Sequence, residues 1–400
     1  MDTEASSEPS GASAHPWTDL EQFRRSAAGW LAAHRGEAPR DYGPILPPEL
    51  ADEGRAWQRT LFDAGFAGLH WPTEYGGQGL TPEHHGAWIT ECALAQVPPM
   101  LNMVGGVLTA GALLGFGTPE QRAEHLRPII TGERIWCQLF SEPDAGSDLA
   151  SLSTRAARDG DGYVLRGQKV WCSNGRVADM GICLARTDPT VPNHRGISFF
   201  LLDMGSPGVE VRPLRQMNGG SEFDEVHLDE VRVPADALLG DEGAGWQVAM
   251  GALTNERGYI GASSISLQRR LDAMLALGGR GGDGVVPEGA EGAGPATGDV
   301  ERDELVQLWS RGTALWAMGR RQGPVASVLG SVAKLGTSEL GFDVAMWRAE
   351  RAGAAAMLSG DTAEALLSAP GARIAGGTSQ VQRNIIGERV LGLPKEPRPG

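Results

Sequence analysis

The spacing of apolar residues changes twice along this 400-residue chain, and no other feature narrows the possible architecture as much. From about Pro16 to Arg134 they recur every three or four positions. Leu20, Phe23, Ala27, Trp30 and Leu31 form such a stripe in DLEQFRRSAAGWLAAHRG, which closes on a C-cap-like Gly36. PPELADEGRAWQRTLFDAGFAGL and TPEHHGAWITECALAQVPP repeat the pattern between turns rich in glycine and proline. Near Ile135 it gives way to short runs: IWCQLF, GYVLRGQKVWCSN, MGICLARTD, GISFFLLDM, VEVRPL and EVHLDEVRVP. Their β-branched and aromatic content and frequent turn signals predict antiparallel strands, without the intervening helices of a Rossmann unit. Helical spacing returns at Gly245, where Leu253, Ile260, Leu267 and Met274 stand seven apart. The order predicts an α-helical domain over 17–134, a β domain over 135–243 and a helical domain over 244–400. Residues 1–16 read as a disordered tail and the glycine-rich stretch 279–300 as a flexible loop.

A chain of this length can bury a substantial interior. Its 41% hydrophobic content is ordinary, and no run approaches the roughly 18–20 apolar residues of a membrane span, so a soluble protein is expected. The start, MDTEASSEPSGASAHP, lacks the basic and apolar regions of a signal peptide, which points to the cytoplasm. Cys92, Cys137, Cys172 and Cys183 show no CxxC spacing and read as reduced core residues with no metal. A net charge of -15 argues against nucleic-acid binding.

Two stretches carry chemistry-bearing residues. In WCQLFSEPDAGSDLASL (136–152) a strand ends at Ser141-Glu142-Pro143, and the hydroxyls, amides and small residues that follow can approach a polar cofactor. An ordinary surface turn is the simpler use of such residues. In GQKVWCSNG (167–175) strand alternation puts Trp171 and Ser173 on one face, one able to stack and the other to donate a hydrogen bond. A buried core tryptophan is the alternative. Further on, Ser379 and Gln382 have capping-box spacing, which starts a helix near Thr378 with free amides and a positive dipole end. GGRGGDG opens no helix, and His84 and His85 point different ways with no partner motif nearby; both read as structural or solvent-exposed.

Taken in order, five segments resemble the acyl-CoA dehydrogenase family: GLHWPTEYGGQGL, GTPEQRAEHLRPIITGERIWCQLFSEPDAGSDLASLSTRA, GYVLRGQKVWCSNGRVADMGICLARTDP, FDEVHLDEVRVPADALLGDEGAGWQVAM and GGTSQVQRNIIGERVLGLP. The resemblance runs from about Trp57 to Pro397 and is nearest the bacterial branch that handles branched, cyclic or steroid side-chain thioesters. It implies an α+β multidomain fold with an N-terminal helical domain, a middle antiparallel β domain and a C-terminal four-helix bundle. It also implies FAD. The segment Gln138 to Ser147, with Phe140, Ser141, Gly146 and Ser147, would wrap the isoalloxazine side; Trp171 and Ser173 would pack and bond beside it; Thr378 and Gln380 would meet it from the C-terminal helix. Ser147, Asn255 and Arg257 become the expected substrate contacts. The implied partners are an acyl-CoA or carrier-bound thioester and an electron-transfer flavoprotein, and the implied assembly is a homotetramer, with a dimer or heterotetramer as alternatives. The family's arginine-containing flavin motif is missing after Met274, so the adenine end has no assigned contacts.

The resemblance raises a chemical problem, because many members carry a glutamate where this chain has Ala375-Gly376. Desaturation of an acyl thioester removes a Cα proton and a Cβ hydride, and the proton needs a base whose pKa burial has raised toward the working pH. Isovaleryl and long-chain members place that base in a motif similar to LTNERG, which makes Glu256 the candidate. It falls three residues after Leu253 and four before Ile260, beside the apolar stripe. A structural ion pair with an arginine is the alternative use of such a carboxylate. In the family the thioester oxygen is polarised by a flavin ribityl hydroxyl and by the backbone N–H at the glutamate position, which Gly376 retains. The space left by the carboxylate would suit a bulky or branched acyl group. The resemblance therefore implies an FAD-dependent acyl-thioester dehydrogenase forming a trans-2-enoyl product. A catalytically silent FAD-binding subunit and a flavin monooxygenase of the same superfamily are the rival readings.

Overall fold

Helix-forming stripes, buried two-sided strands and a second set of helices follow one another along the chain. The computed structural model describes residues 17, 19–40, 45–256, 260–278, 298–319 and 325–395, apart from the side chains of 254–256, 260–263, 277–278 and 325–328. The first domain holds α1 (Leu20–His34), α2 (Ala51–Asp63), α3 (Pro82–Ala95), α4 (Ala110–Phe116) and α5 (Pro119–Thr131). Asp19 caps α1 by accepting from Gln22 N at 2.8 Å, and the helix buries Phe23, Ala27 and Leu31 of the expected stripe. It closes on Arg35 in right-handed conformation rather than on Gly36. A π-helical turn, Val104–Thr109, leads into α4, and α5 opens with a capping box of Thr118 and Gln121.

One sheet follows, made of β1 (Trp136–Leu139), β2 (Arg155–Asp159), β3 (Gly162–Ser173), β4 (Met180–Arg186), β5 (Ile197–Asp203), β6 (Val209–Leu214) and β7 (Phe223–Pro234). The order is β1-β4-β2-β3-β7-β6, with β5 also on β4. Most pairings are antiparallel, as the turn signals predict. β1 runs parallel to β4, and β2 meets β4 in parallel at Arg155 and Arg186, because the chain leaves β1 through a long loop rather than a hairpin. β4 and β5 are apolar on both faces for a reason: Ile182, Leu184, Phe199 and Leu201 join the core shared with the helical domain, whereas Cys183, Ala185, Phe200 and Leu202 face a second core within the sheet domain. All four cysteines are buried free thiols.

The last domain comprises α6 (Gly245–Glu256), α7 (Ile260–Gly278), α8 (Asp299–Gly319), α9 (Val325–Ala352), α10 (Asp361–Ala372) and α11 (Ser379–Ile385). α6 packs against α4, the π-turn and β5 and buries Val248, Ala249 and Ala252 where the three domains meet. α7, α8 and α9 share a core of Leu267, Leu271, Met274, Leu305, Leu308, Leu340, Val344 and Trp347, and α10 and α11 lie on α9. The expected tail 1–16 and residues 279–297 of the expected loop lie outside the described residues; Asp299 and Val300, the loop's last two positions, already belong to α8. Among the described residues no helix is long and apolar enough to cross a membrane, and no group of three or more His, Cys, Asp or Glu could hold a metal ion.

Candidate active site

The end of β1 forms one wall of the candidate site. Gln138 is half-buried there and Phe140 is buried edge-on to Phe199, with ring centroids 5.8 Å apart. Ser141 O accepts from Val170 N at 2.9 Å, which ties this end to the middle of β3. On β3 the pairing with β7 shifts: Lys169 opposes Val226, yet Cys172 opposes Asp224, so two residues face one. At this bulge Trp171 takes φ +59° and its ring stands 54% exposed, edge-on to Phe223 at 5.8 Å. The indole packs on Phe223, the cross-strand partner of Ser173, and the buried Cys172 stands between Trp171 and Ser173, as strand alternation predicts. Cys172 is buried, Ser173 is half-buried and Trp171 turns outward, which also rules out the buried-core reading of the tryptophan.

Sequence reasoning passed over the group that holds this wall together. Lys169, fully buried in β3, donates to Glu142 at 2.9 Å and to Phe140 O at 3.0 Å. Glu142 also accepts from Ser153 N at 2.6 Å, Ser153 Oγ at 2.7 Å and Thr154 N at 2.9 Å. Burial alone would raise its pKa, but the Lys169 charge and these hydrogen bonds bring it down to about 2. The available signal was a lysine next to Val170 and Trp171 within a strand sequence and a glutamate just before Pro143. The loop is anchored further on by Arg186, which donates to Ala150 O at 2.8 Å and Leu152 O at 3.0 Å. Gly146 and Ser147 remain exposed between these anchors, with open space where a Cβ would stand on Gly146.

The second wall is the turn from α10 to α11. Gly376 and Gly377 have φ +63° and +88°, conformations that favour glycine. Thr378 is the N-cap, accepting from Val381 N at 3.2 Å. The helix therefore begins where expected, through a different bond: Ser379 is already helical, and Gln382 reaches past it to donate to Gly376 O at 2.9 Å. Arg373 and Arg383 both pair with Glu339 of α9, at 3.0 and 3.5 Å. Gln380 is exposed, and the Gly376 N–H takes part in no hydrogen bond among the described residues. Asn218, between β6 and β7, donates to Ser368 of α10 at 3.0 Å and links the two walls' domains.

The structure places Gln138, Phe140, Ser141, Trp171 and Ser173 around the end of β1 and the bulge of β3, Gly146 and Ser147 on the following loop, and Gly376, Thr378 and Gln380 at the turn into α11. Glu256 closes α6. Its side chain, that of Asn255 and all of Arg257 lie outside the described residues. The two adjacent histidines diverge: His84 bonds Thr81 at 2.9 Å, whereas His85 faces His70 with ring centroids 4.5 Å apart.

An indole held out by a bulge, hydroxyls at 141, 147, 173 and 378, and glycines with open surroundings suit a large planar group with polar edges. Such a site on three domains of this order fits a flavoprotein. Sequence signatures for the N-terminal, middle and C-terminal domains of acyl-CoA dehydrogenases match residues 19–133, 137–231 and 305–391. Acyl-CoA dehydrogenase IpdE1 of Mycobacterium tuberculosis is 37% identical over 397 residues, covering 94% of this chain and 99% of that protein. Acyl-CoA dehydrogenase FadE34 of the same organism is 38% identical over 360 residues, 86% of this chain and 47% of its own length. The ChsE4-ChsE5 complex from Mycobacterium tuberculosis matches with TM-score 0.75 at 27% identity, covering 94% of this chain and 98% of that one. The Tcur3481-Tcur3483 steroid ACAD shares the fold with TM-score 0.80 at 24% identity, covering the same shares. The chain belongs to the acyl-CoA dehydrogenase family of FAD-dependent oxidoreductases.

Proposed function

We propose that the enzyme desaturates a branched, cyclic or steroid side-chain acyl-CoA between Cα and Cβ, with Glu256 as the base and the Gly376 N–H as a donor to the thioester oxygen. The observation that carries this reading is the 373–378 turn. It has no side chain able to take a proton at 375 or 376, yet it leaves the Gly376 amide at the surface and outside the turn's own hydrogen bonds. FAD, when bound, supplies the acceptor for the Cβ hydride. Trp171 would cover its ring, and Ser141, Ser147, Ser173, Thr378 and Gln380 would hold its polar edges. A hydrogen bond from Gly376 N–H withdraws charge from the carbonyl and acidifies the Cα proton, which Glu256 then takes. Support for Glu256 comes from its seat at the end of α6, a helix clamped by the helical domain and β5. Ser147, Asn255 and Arg257 orient the acyl thioester.

The bulky acyl class is supported by the freedom around Gly376, where, among the described residues beyond its chain neighbours, a Cβ would meet only Lys334 Cε within 4 Å, at 3.9 Å. It is supported also by relatives named for steroid substrates. Electrons leave to an electron-transfer flavoprotein, and the enzyme works in the cytoplasm as a homotetramer. Ile374, Leu391 and Leu393, exposed around α11, give such an assembly apolar surface to cover.

The missing carboxylate at 376 also favours a second reading, a silent subunit that supports an active partner. One experiment separates the two: anaerobic bleaching of the purified protein's flavin absorbance by a panel of acyl-CoAs, for wild type and Glu256→Gln. Bleaching by one acyl class, lost in the variant with FAD retained, is the expected result. A wild type that holds FAD but is bleached by none selects the silent subunit, and a variant that bleaches at the wild-type rate removes Glu256 as the base.

A further inference from the structure

We infer that Asn102 is a positioning residue of the proposed reaction: its one amide group fixes the π-turn beneath α6, the helix ending at Glu256, against β1 and the β3 bulge. The inference rests on the function proposed above. Asn102 is buried two residues before the π-turn Val104–Thr109. Its Oδ1 accepts from Gly105 N at 2.7 Å, inside the turn, and from Trp136 N at 3.1 Å, at the start of β1. Its Nδ2 donates at 3.1 Å to Oδ1 of Asn174, which lies 72 residues further on and directly follows Ser173. Asn174, buried with φ +66°, continues the chain of bonds by donating from Nδ2 to Leu46 O at 2.6 Å.

The donors and acceptors fix how both amides face. Oδ1 of Asn102 meets two backbone N–H groups, so its Nδ2 is the atom turned to Asn174; Asn174 answers with Oδ1, and its own Nδ2 goes to a carbonyl. The packing is equally close. A Cβ on Gly105 would stand 2.9 Å from Asn102 Oδ1 and 3.3 Å from the Trp136 ring, so glycine there lets the turn close on the amide and the strand together. Gln58 of α2 anchors the preceding residue, accepting from Leu101 N at 2.8 Å and donating to Ile130 O at 2.7 Å.

This joint connects the supports of both reacting groups. Val104 and Leu108 of the turn share a core with Val248, Ala249 and Ala252 of α6, which carries the proposed base at its end. β1 continues to Gln138 and Phe140, and Asn174 follows Trp171 and Ser173, the positions proposed to meet the flavin. Desaturation needs the base and the hydride acceptor placed about one Cα–Cβ bond, and misplacement by about 1 Å can cost about a hundredfold in rate. Asn102 touches neither group and acts through the elements it holds.

The test uses Asn174→Gly, which keeps the left-handed backbone but deletes the link, beside Asn102→Ala and the double variant. With acyl-CoA in excess, the limiting rate of anaerobic flavin bleaching in FAD-loaded enzyme is expected to fall about 10- to 100-fold in either single variant, with the half-saturating acyl-CoA concentration unchanged. The double variant should be about as slow as the slower single one, since both substitutions cut the same link. In FAD-free protein, hydrogen–deuterium exchange of the π-turn peptide should quicken in Asn174→Gly. Bleaching at the wild-type rate in FAD-loaded Asn174→Gly overturns the inference, as do losses confined to melting temperature and FAD content, which a purely structural role predicts. Effects that multiply in the double variant, or turn exchange unchanged by Asn174→Gly, overturn it too. A wild type that holds FAD and is bleached by no acyl-CoA defeats the parent reading, and with it any role for Asn102 in the reaction.

Discussion

The wall at the end of β1 keeps its charges inside, whereas the 373–378 turn keeps its backbone outside. In the first, Lys169 and Glu142 are almost completely buried and each has several partners, which makes the loop up to Thr154 a rigid support. In the second, two glycines of positive φ are held by one cap and one glutamine, and an amide is left at the surface. Rigidity comes from satisfied buried charge in one and from the absence of side chains in the other. A planar cofactor needs the first kind of surface, and close approach of a substrate carbonyl needs the second.

The largest expected effect strikes the buried pair. Glu142→Gln leaves the Lys169 ammonium uncompensated and should lower stability by about 3–5 kcal/mol in chemical denaturation, with loss of bound FAD. The pH dependence has a definite sign. The folded pKa of Glu142, about 2, lies below its ordinary value of 4.5, so its stabilisation is complete above about pH 4.5 and fades as pH falls toward 2. The gap between wild type and variant should narrow across that window; a gap constant down to pH 2 would show that Glu142 is not the titrating support.

Trp171→Ala should reverse the balance, because the ring is exposed and buries little in folding, while the proposed function gives it the flavin to cover. A melting temperature within a few degrees of wild type, with FAD held about tenfold more weakly in equilibrium dialysis, is expected. A large loss of stability with FAD affinity intact would return the residue to a structural role. Gly376→Ala has room for its methyl group but not the preferred backbone, and should cost about 1–2 kcal/mol in thermal unfolding. Its N–H remains, so acyl-CoA bleaching should fall less than tenfold relative to Gly376→Pro, which removes the donor. The smallest effect belongs to Asn218→Ala, which deletes the bond to Ser368 and should cost about 0.5–1.5 kcal/mol with little change in the isolated flavin spectrum.

Much of this molecule was legible in its residues, for identifiable reasons. The two-sided apolar runs of β4 and β5 announced strands because helices cover one face and sheet side chains the other. Thr378 was readable as a helix start because capping residues act on neighbours three positions away. The details that failed are those that depend on a distant partner. The positive φ of Trp171 was not legible, because it comes from β7 offering one residue where β3 has two. Arg35 displaced Gly36 as the cap of α1, since a helix can close in right-handed conformation when its last amide still finds a carbonyl, here Leu31 O.

By itself the sequence determined the order of helical and strand segments and the family, because periodicity, caps and motifs are carried by neighbours along the chain. Only the tertiary structure decided that Glu142 and Lys169, 27 residues apart, close into one buried pair and that a bulge leaves the Trp171 ring exposed. Those are matters of strand register and helix packing, where the energy belongs to groups that meet only after the chain has folded.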